Sequence, residues 1–257
     1  MDLAVIDGEY SDLRDEEVGS DLSDEEEEQA SLQYRIDHRP SNALLTLYLS
    51  PGYHLKARPG SLVAMDTSVQ LHGELYHGFT RLVSGEDISE LTFVGPGEVL
   101  LAPDFWGDIT PVELQDSTVF CIKGQGFLAC SGLITRKSLA QGFPKSLLDG
   151  GSQSAEQLSG SGIVFMQAAG AVVERQLAYG EQWVVDASHL LAWSASYTAE
   201  RSHTGCRHYG PAAEEAWVCR FTGPGVVYIQ TRVPENVQNS TSHLSATSSA
   251  KPNQRGS

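Results

Sequence analysis

The chain is poor in several things, and each shortage closes off a class of protein. Of 257 residues only 17 are Lys or Arg, against 33 Asp or Glu, for a formal net charge of −16. Recognition of a phosphate backbone needs clustered cations. The densest basic pair, Arg136-Lys137, stands alone, so no nucleic-acid partner is expected. A transmembrane helix needs about 20 successive apolar residues, and no such run exists. The opening Met1-Asp-Leu-Ala-Val-Ile-Asp-Gly-Glu has neither the basic start and apolar run of a secretory signal nor the Arg- and Ser-rich, acid-poor character of a transit peptide. The expected compartment is the cytosol. Cysteine is scarce too. Cys121, Cys130, Cys206 and Cys219 show no C-x-x-C spacing of the kind that holds zinc. Cys121, Cys130 and Cys219 fall in apolar strand patterns and read as free buried thiols of a reducing compartment. Asn239-Ser-Thr matches a glycosylation sequon, which without a secretory route goes unused.

The negative charge that is present is concentrated at one end. Residues 1–40 hold 14 acidic side chains against three Arg and no Lys, with Asp24-Glu-Glu-Glu-Glu the densest run. Self-repulsion and few apolar groups predict a disordered acidic arm, suited to solubilising the chain or to contacting partners. Residues 234–257 turn to Ser, Asn, Thr and Gln and predict a second disordered tail. Residues 41–233 remain, enough for a substantial core.

Within them one pattern returns three times. Gly95-Pro-Gly-Glu-Val-Leu-Leu-Ala recurs as Gly160-Ser-Gly-Ile-Val-Phe-Met-Gln and Gly223-Pro-Gly-Val-Val-Tyr-Ile-Gln, at steps of 65 and 63 residues. Ser61-Leu-Val-Ala-Met, Gly126-Phe-Leu-Ala-Cys and His189-Leu-Leu-Ala-Trp each begin 34 residues before their own Gly-x-Gly. Two patterns keeping step imply an internal repeat of about 64 residues, with units at about 43–114, 115–178 and 179–233. Each unit has the grammar of β structure. An alternating segment leads (Leu45-Thr-Leu-Tyr-Leu, Thr110-Pro-Val-Glu-Leu, Val173-Glu-Arg-Gln-Leu). A second strand follows (His54-Leu-Lys-Ala, Val119-Phe-Cys-Ile, Trp183-Val-Val-Asp), then the apolar pattern, a polar connection and the Gly-x-Gly. Pro51-Gly and Pro59-Gly predict turns with glycine at positive φ. Ser31-Leu-Gln-Tyr-Arg-Ile predicts a short leading strand. The connectors predict a helical turn within 78–87 and a short helix around Thr135–Gln141. The class is all-β.

Chemistry-bearing candidates are weak. A dinucleotide fingerprint needs G-x-G-x-x-G opening a helix. Here the sixth residue is Leu100, Phe165 or Tyr228 and a strand follows, so the glycines predict hairpin turns. His72 and His77, and His203 and His208 around Cys206, are spaced as H-x4-H, which puts the two imidazoles on opposite faces of a strand. Surface or hydrogen-bonded histidines fit better than a cupin-like metal site. No G-x-S-x-G is present, and Ser, His and Asp are too scattered to form a triad. Asp104-Phe-Trp-Gly-Asp places two carboxylates four apart, with Asp104 expected to bond the turn after Pro103. Trp183, Trp193 and Trp217 read as packing aromatics. No residue is assigned a catalytic, cofactor-binding or metal-ligating role.

Pro59-Gly-Ser-Leu-Val-Ala-Met-Asp, Phe93-Val-Gly-Pro-Gly-Glu-Val-Leu-Leu-Ala-Pro and Trp217-Val-Cys-Arg-Phe-Thr-Gly-Pro-Gly-Val-Val-Tyr-Ile-Gln-Thr-Arg resemble the altered inheritance of mitochondria protein 24 family, the mitochondrial biogenesis domain, over about residues 42–233. Before the last motif the family tends to Gly-Glu-Gly-Leu, where this chain has Ala213-Glu-Glu-Ala. The resemblance implies three β-sandwich-like units, each similar in fold to a subunit of the tryptophan RNA-binding attenuation protein, around a pseudo-threefold axis. It implies a mitochondrial setting and a link to inner-membrane organisation, with no catalytic residues to carry over. Fold alone transfers neither tryptophan nor RNA binding. The leading expectation is a non-enzymatic scaffold or assembly protein that engages protein partners and self-associates through sheet edges or apolar faces. The alternatives are a cupin-like metal-dependent enzyme and a small-ligand binding module near Trp106 or Trp193.

Overall fold

Alternating apolar residues, broken by Gly and Pro, produce strands almost throughout. The computed structural model describes residues 32–73, 90–115, 119–139, 155–202 and 216–233. Residues 1–31 of the acidic arm, the 234–257 tail, the 78–87 turn and the residues His77, His203, Cys206 and His208 lie outside them. Residues 33–37, expected to belong to a disordered arm, are a strand because they pair with Leu44–Leu49. The described residues form nineteen strands and one 3-10 turn, Gly124–Gly126. Strand β1 (Gln33–Asp37) is the expected leading strand and pairs with β2.

Three blocks of six strands follow. The first is β2 (Leu44–Leu49), β3 (His54–Ala57), β4 (Leu62–Met65), β5 (Gln70–Gly73), β6 (Leu91–Val94) and β7 (Gly97–Leu101). The second is β8 (Gly107–Leu114), β9 (Phe120–Lys123), β10 (Phe127–Ser131), β11 (Thr135–Ser138), β12 (Ala155–Ser159) and β13 (Gly162–Ala169). The third is β14 (Val172–Leu177), β15 (Gln182–Asp186), β16 (Leu190–Trp193), β17 (Ser196–Ser202), β18 (Ala216–Thr222) and β19 (Gly225–Gln230). In each block the last strand pairs with the first and third, and the fifth pairs with the second and fourth, all antiparallel. Ladders also cross between blocks: β10 pairs with β3, and β16 with β9. The third strand of every block carries a register shift at the same place, around Val63, Leu128 and Leu191. Such bulges add local twist and re-aim side chains.

Two expectations need correction. The strands flanking each Gly-x-Gly do not pair with each other; β6 and β7, β12 and β13, and β18 and β19 lie in different sheets. These glycines form corners between sheets rather than hairpin turns. The second glycine has positive φ in all three copies, at 141° for Gly97, 145° for Gly162 and 150° for Gly225, a region side chains avoid. Just beyond it an amide is held by a side-chain oxygen at the end of the third strand. Glu98 N donates to Asp66 Oδ2 (2.8 Å), Ile163 N to Ser131 Oγ (3.2 Å) and Val226 N to Ser194 Oγ (3.1 Å). The second correction concerns the helix expected around Thr135–Gln141. Residues Thr135–Ser138 are strand β11, laddered to β12, because edge pairing outweighs a weak helical propensity.

Apolar burial falls into three clusters, and all three straddle blocks, the last by taking in Ala155 of β12. Leu128, Ala129 and Phe165 of the second block join the first-block core around Leu45, Leu55 and Phe93. Leu191, Ala192 and Tyr228 of the third join the second-block core around Phe120 and Ile122. The last cluster centres on Trp193, Phe221 and Val227. Each buried Phe contributes about 1.5–3 kcal/mol, so the block junctions are part of the core.

Candidate functional site

Strand β3 supplies Lys56, the segment before β6 supplies Glu90, β11 supplies Arg136 and β12 supplies Glu156. Together they form a charged cluster at the first junction. Arg136 and Glu156 are buried, with side-chain exposures of 6% and 7%, and pair at 2.8 Å. Arg136 Nε also donates to Glu156 (2.9 Å), making the pair two-pronged. The guanidinium lies 3.6 Å from the centre of the Phe127 ring. Glu90 completes the chain of charges, 3.4 Å from Arg136 and 3.8 Å from Lys56. Cys130 is fully buried beside this cluster.

The thiol of Cys130 is nonetheless not activated. Burial pushes it up to about 12, with nearby Arg136 only partly opposing. Cys121 and Cys219 are each pushed up to about 11, chiefly by burial. A thiolate is the nucleophile and the metal ligand, and these environments disfavour it. All three are free cysteines. In a Cys206→Ser background, maleimide at neutral pH is expected to leave the native chain unlabelled and to label it three times after unfolding; rapid native labelling would contradict this environment. The pH dependence follows in sign. Above the ordinary value of 9.0 the unfolded chain releases these protons while the folded chain keeps them. The unfolded state then binds fewer protons, so stability declines as pH rises through that window. Denaturant midpoints measured across it check the decline.

A second polar junction involves Asp104. Its carboxylate pairs with Arg58 at 2.8 Å rather than with the turn backbone, which corrects the expectation. Its own N–H donates to Gln167 Oε1 (3.1 Å), and Gln167 Nε2 donates to the Gln125 carbonyl (2.8 Å). Gln167 in β13 and Gln230 in β19, each in the last strand of its block, are both buried; Gln230 Oε1 accepts from Ala169 N across the second junction (2.9 Å). No sequence signal beyond their shared register marked them.

Of the other sequence candidates, His72 is exposed on β5, and among the described residues no group of three His, Cys, Asp or Glu is placed to hold a metal. Trp193 is buried, edge-on to Tyr197 at 5.8 Å and beside Phe221, as expected of core packing. Trp106 is 73% exposed. With Arg39, Asp108 and Arg232 it lines a surface groove of ≈480 Å³, where Arg39 pairs with Asp108 at 3.1 Å and donates to the Ile109 carbonyl.

The most unusual surface is made of two strand edges. Strand β4 has neutral side chains throughout, and among the described residues it pairs only with β7. Its Val63 is 57% exposed and its Met65 37%. Among the described residues strand β15 pairs only with β18, and its Val184 is 46% exposed. Natural proteins guard such edges with charge, proline or a covering element. Among the described residues no helix is long and apolar enough to cross a membrane.

No curated protein matches the chain. A Streptococcus pyogenes protein determined by X-ray crystallography is similar in fold, with a TM-score of 0.67 at 23% identity, covering 83% of this chain and 100% of its own. The model of the family described as mitochondrial biogenesis AIM24 matches residues 34–232, and the chain belongs to that family.

Proposed function

We propose that the chain is a non-enzymatic β-rich scaffold, linked through its family to the organisation of mitochondrial membranes, and built as three sandwich-like repeats in a pseudo-threefold arrangement. The observation that carries this reading is the pair of edges on β4 and β15 that no ladder covers among the described residues. Exposed ladder groups beside apolar side chains are what strand-addition partners engage. The raised thiols and the ion-paired Asp104 argue in the same direction, since neither provides a nucleophile. The acidic residues 1–40 add a charged arm for basic partner surfaces.

The test is affinity capture from a mitochondrial extract, using the intact chain beside one lacking residues 1–40, with light scattering on both. A specific partner set is expected for the intact chain, and the part of it lost on truncation belongs to the arm. An intact chain that captures nothing above a control, yet turns over a substrate in an activity screen, would refute the scaffold reading.

A further inference from the structure

The two block junctions share one design. In the first, β10 lies antiparallel to β3 with Ala129 opposite Ala57 and Cys130 opposite Lys56. In the second, β16 lies antiparallel to β9 with Ala192 opposite Ile122 and Trp193 opposite Cys121. Each joins the third strand of one block to the second strand of the block before it. The chain holds one more edge of each kind, β4 and β15, and among the described residues no ladder joins them.

Burial shows what those edges lack. Leu128 and Leu191, bulged residues of the joined third strands, are 0% and 1% exposed; their counterpart Val63 is 57% exposed. Ala129 and Ala192 are fully buried, whereas Ala64 is exposed. Cys130 and Trp193 are 0% and 3% exposed, against 37% for Met65. Phe165 and Tyr228, five residues beyond the first glycine of their motifs, complete the apolar patches at the joined seams. The matching Leu100 is only half-buried. This is an apolar seam with the composition of the other two and nothing laid against it by the described chain.

We infer that a second copy of this chain fills the seam, with β4 of one copy antiparallel to β15 of the next, Ala64 opposite Val185 and Met65 opposite Val184. The inference deepens the scaffold reading and rests on it. The occupant follows from continuity with the internal junctions: the edge that fits a third strand is a second strand, and β15 is the one of that kind left open among the described residues. Partner and surface are different patches, so the contact is head-to-tail. It closes into a ring if the rotation between copies allows and propagates otherwise.

Two experiments test it on the full-length chain. In a Cys206→Ser background, a Met65→Cys chain and a Val184→Cys chain are mixed and oxidised. A disulfide-linked two-chain product is expected in the mixture and not from either variant alone. If a chain carrying both Met65→Cys and Val184→Cys instead closes an internal disulfide and the mixture gives no two-chain product, the chain seals its own seam and the inference is overturned. Second, sedimentation of the unmodified chain is expected to give a mass at least twice its 27.8 kDa. Val63→Lys and Val184→Lys, each with unchanged far-UV circular dichroism, are expected to weaken that association by about 10- to 100-fold. A monomer at every concentration also overturns it. Partners still captured from the extract under that outcome would leave the scaffold reading standing.

Discussion

Replacing Arg136 with methionine is expected to destabilise the chain by about 3–5 kcal/mol, because it strands the Glu156 carboxylate in the interior. Both side chains are less than 10% exposed, and the pair is two-pronged. Desolvating a carboxylate without its cation costs more than the pair contributes while intact, so the single variant is far worse than loss of one surface bridge. Methionine keeps contact with Phe127 and so spares most of the packing, which isolates the charge. The drop in Tm is expected at about 2–4 °C per kcal/mol, read by calorimetry. Arg136→Lys should recover only part of the loss, since an ammonium cannot reproduce the fork. The double variant Arg136→Met with Glu156→Leu is expected to be more stable than Arg136→Met alone, as both charges leave together. If the double variant is instead the least stable, packing rather than the unpaired charge accounts for the effect.

The position of this pair shows where sequence reading reached its limit. Thr135-Arg-Lys-Ser has no apolar residue and sits in a polar connector, so local pattern pointed away from a strand. Its strand character comes from the β12 ladder and from a buried partner 20 residues on. By contrast, β2, β3 and β14 were legible from alternation and turn residues alone. The all-β class was legible because its signals are local, short apolar runs bounded by Gly and Pro. Which sheet each strand flanking a Gly-x-Gly would join was not, and the glycines therefore read as hairpin turns. The open edge was hidden for a related reason. Leu62-Val-Ala-Met looks like Phe127-Leu-Ala-Cys and Leu190-Leu-Ala-Trp, yet among the described residues two of these strands are paired across a junction and one is not. The Arg58–Asp104 and Gln167–Gln125 contacts likewise bring together residues whose separation in sequence carries no sign of their meeting.

The corner glycines set the second large effect. Gly225→Ala is expected to cost about 1–3 kcal/mol for holding a side chain at φ 150°. The new methyl would also lie 2.6 Å from Ala195 Cα and 2.7 Å from Ala195 N. Those are backbone atoms that cannot turn aside, so a further cost of about 1–3 kcal/mol for overpacking is expected. Gly180 separates the two contributions. It too has positive φ, 74°, but nothing lies within 4 Å of a Cβ placed there. Gly180→Ala should therefore lose only about 1–2 kcal/mol. Urea unfolding of both variants, compared at equal slope, measures the difference. Equal losses would mean that backbone conformation alone explains the glycine. A clearly larger loss at Gly225 would mean that the corner is pressed against the end of β16, with no room for a methyl group. In that case the recurring Gly-x-Gly marks where the chain passes from one sheet to the other within each block of strands. The Val226 amide bond to Ser194 depends on the same close approach, so Gly225→Ala should also raise hydrogen exchange at Val226, an effect that Gly180→Ala would leave absent.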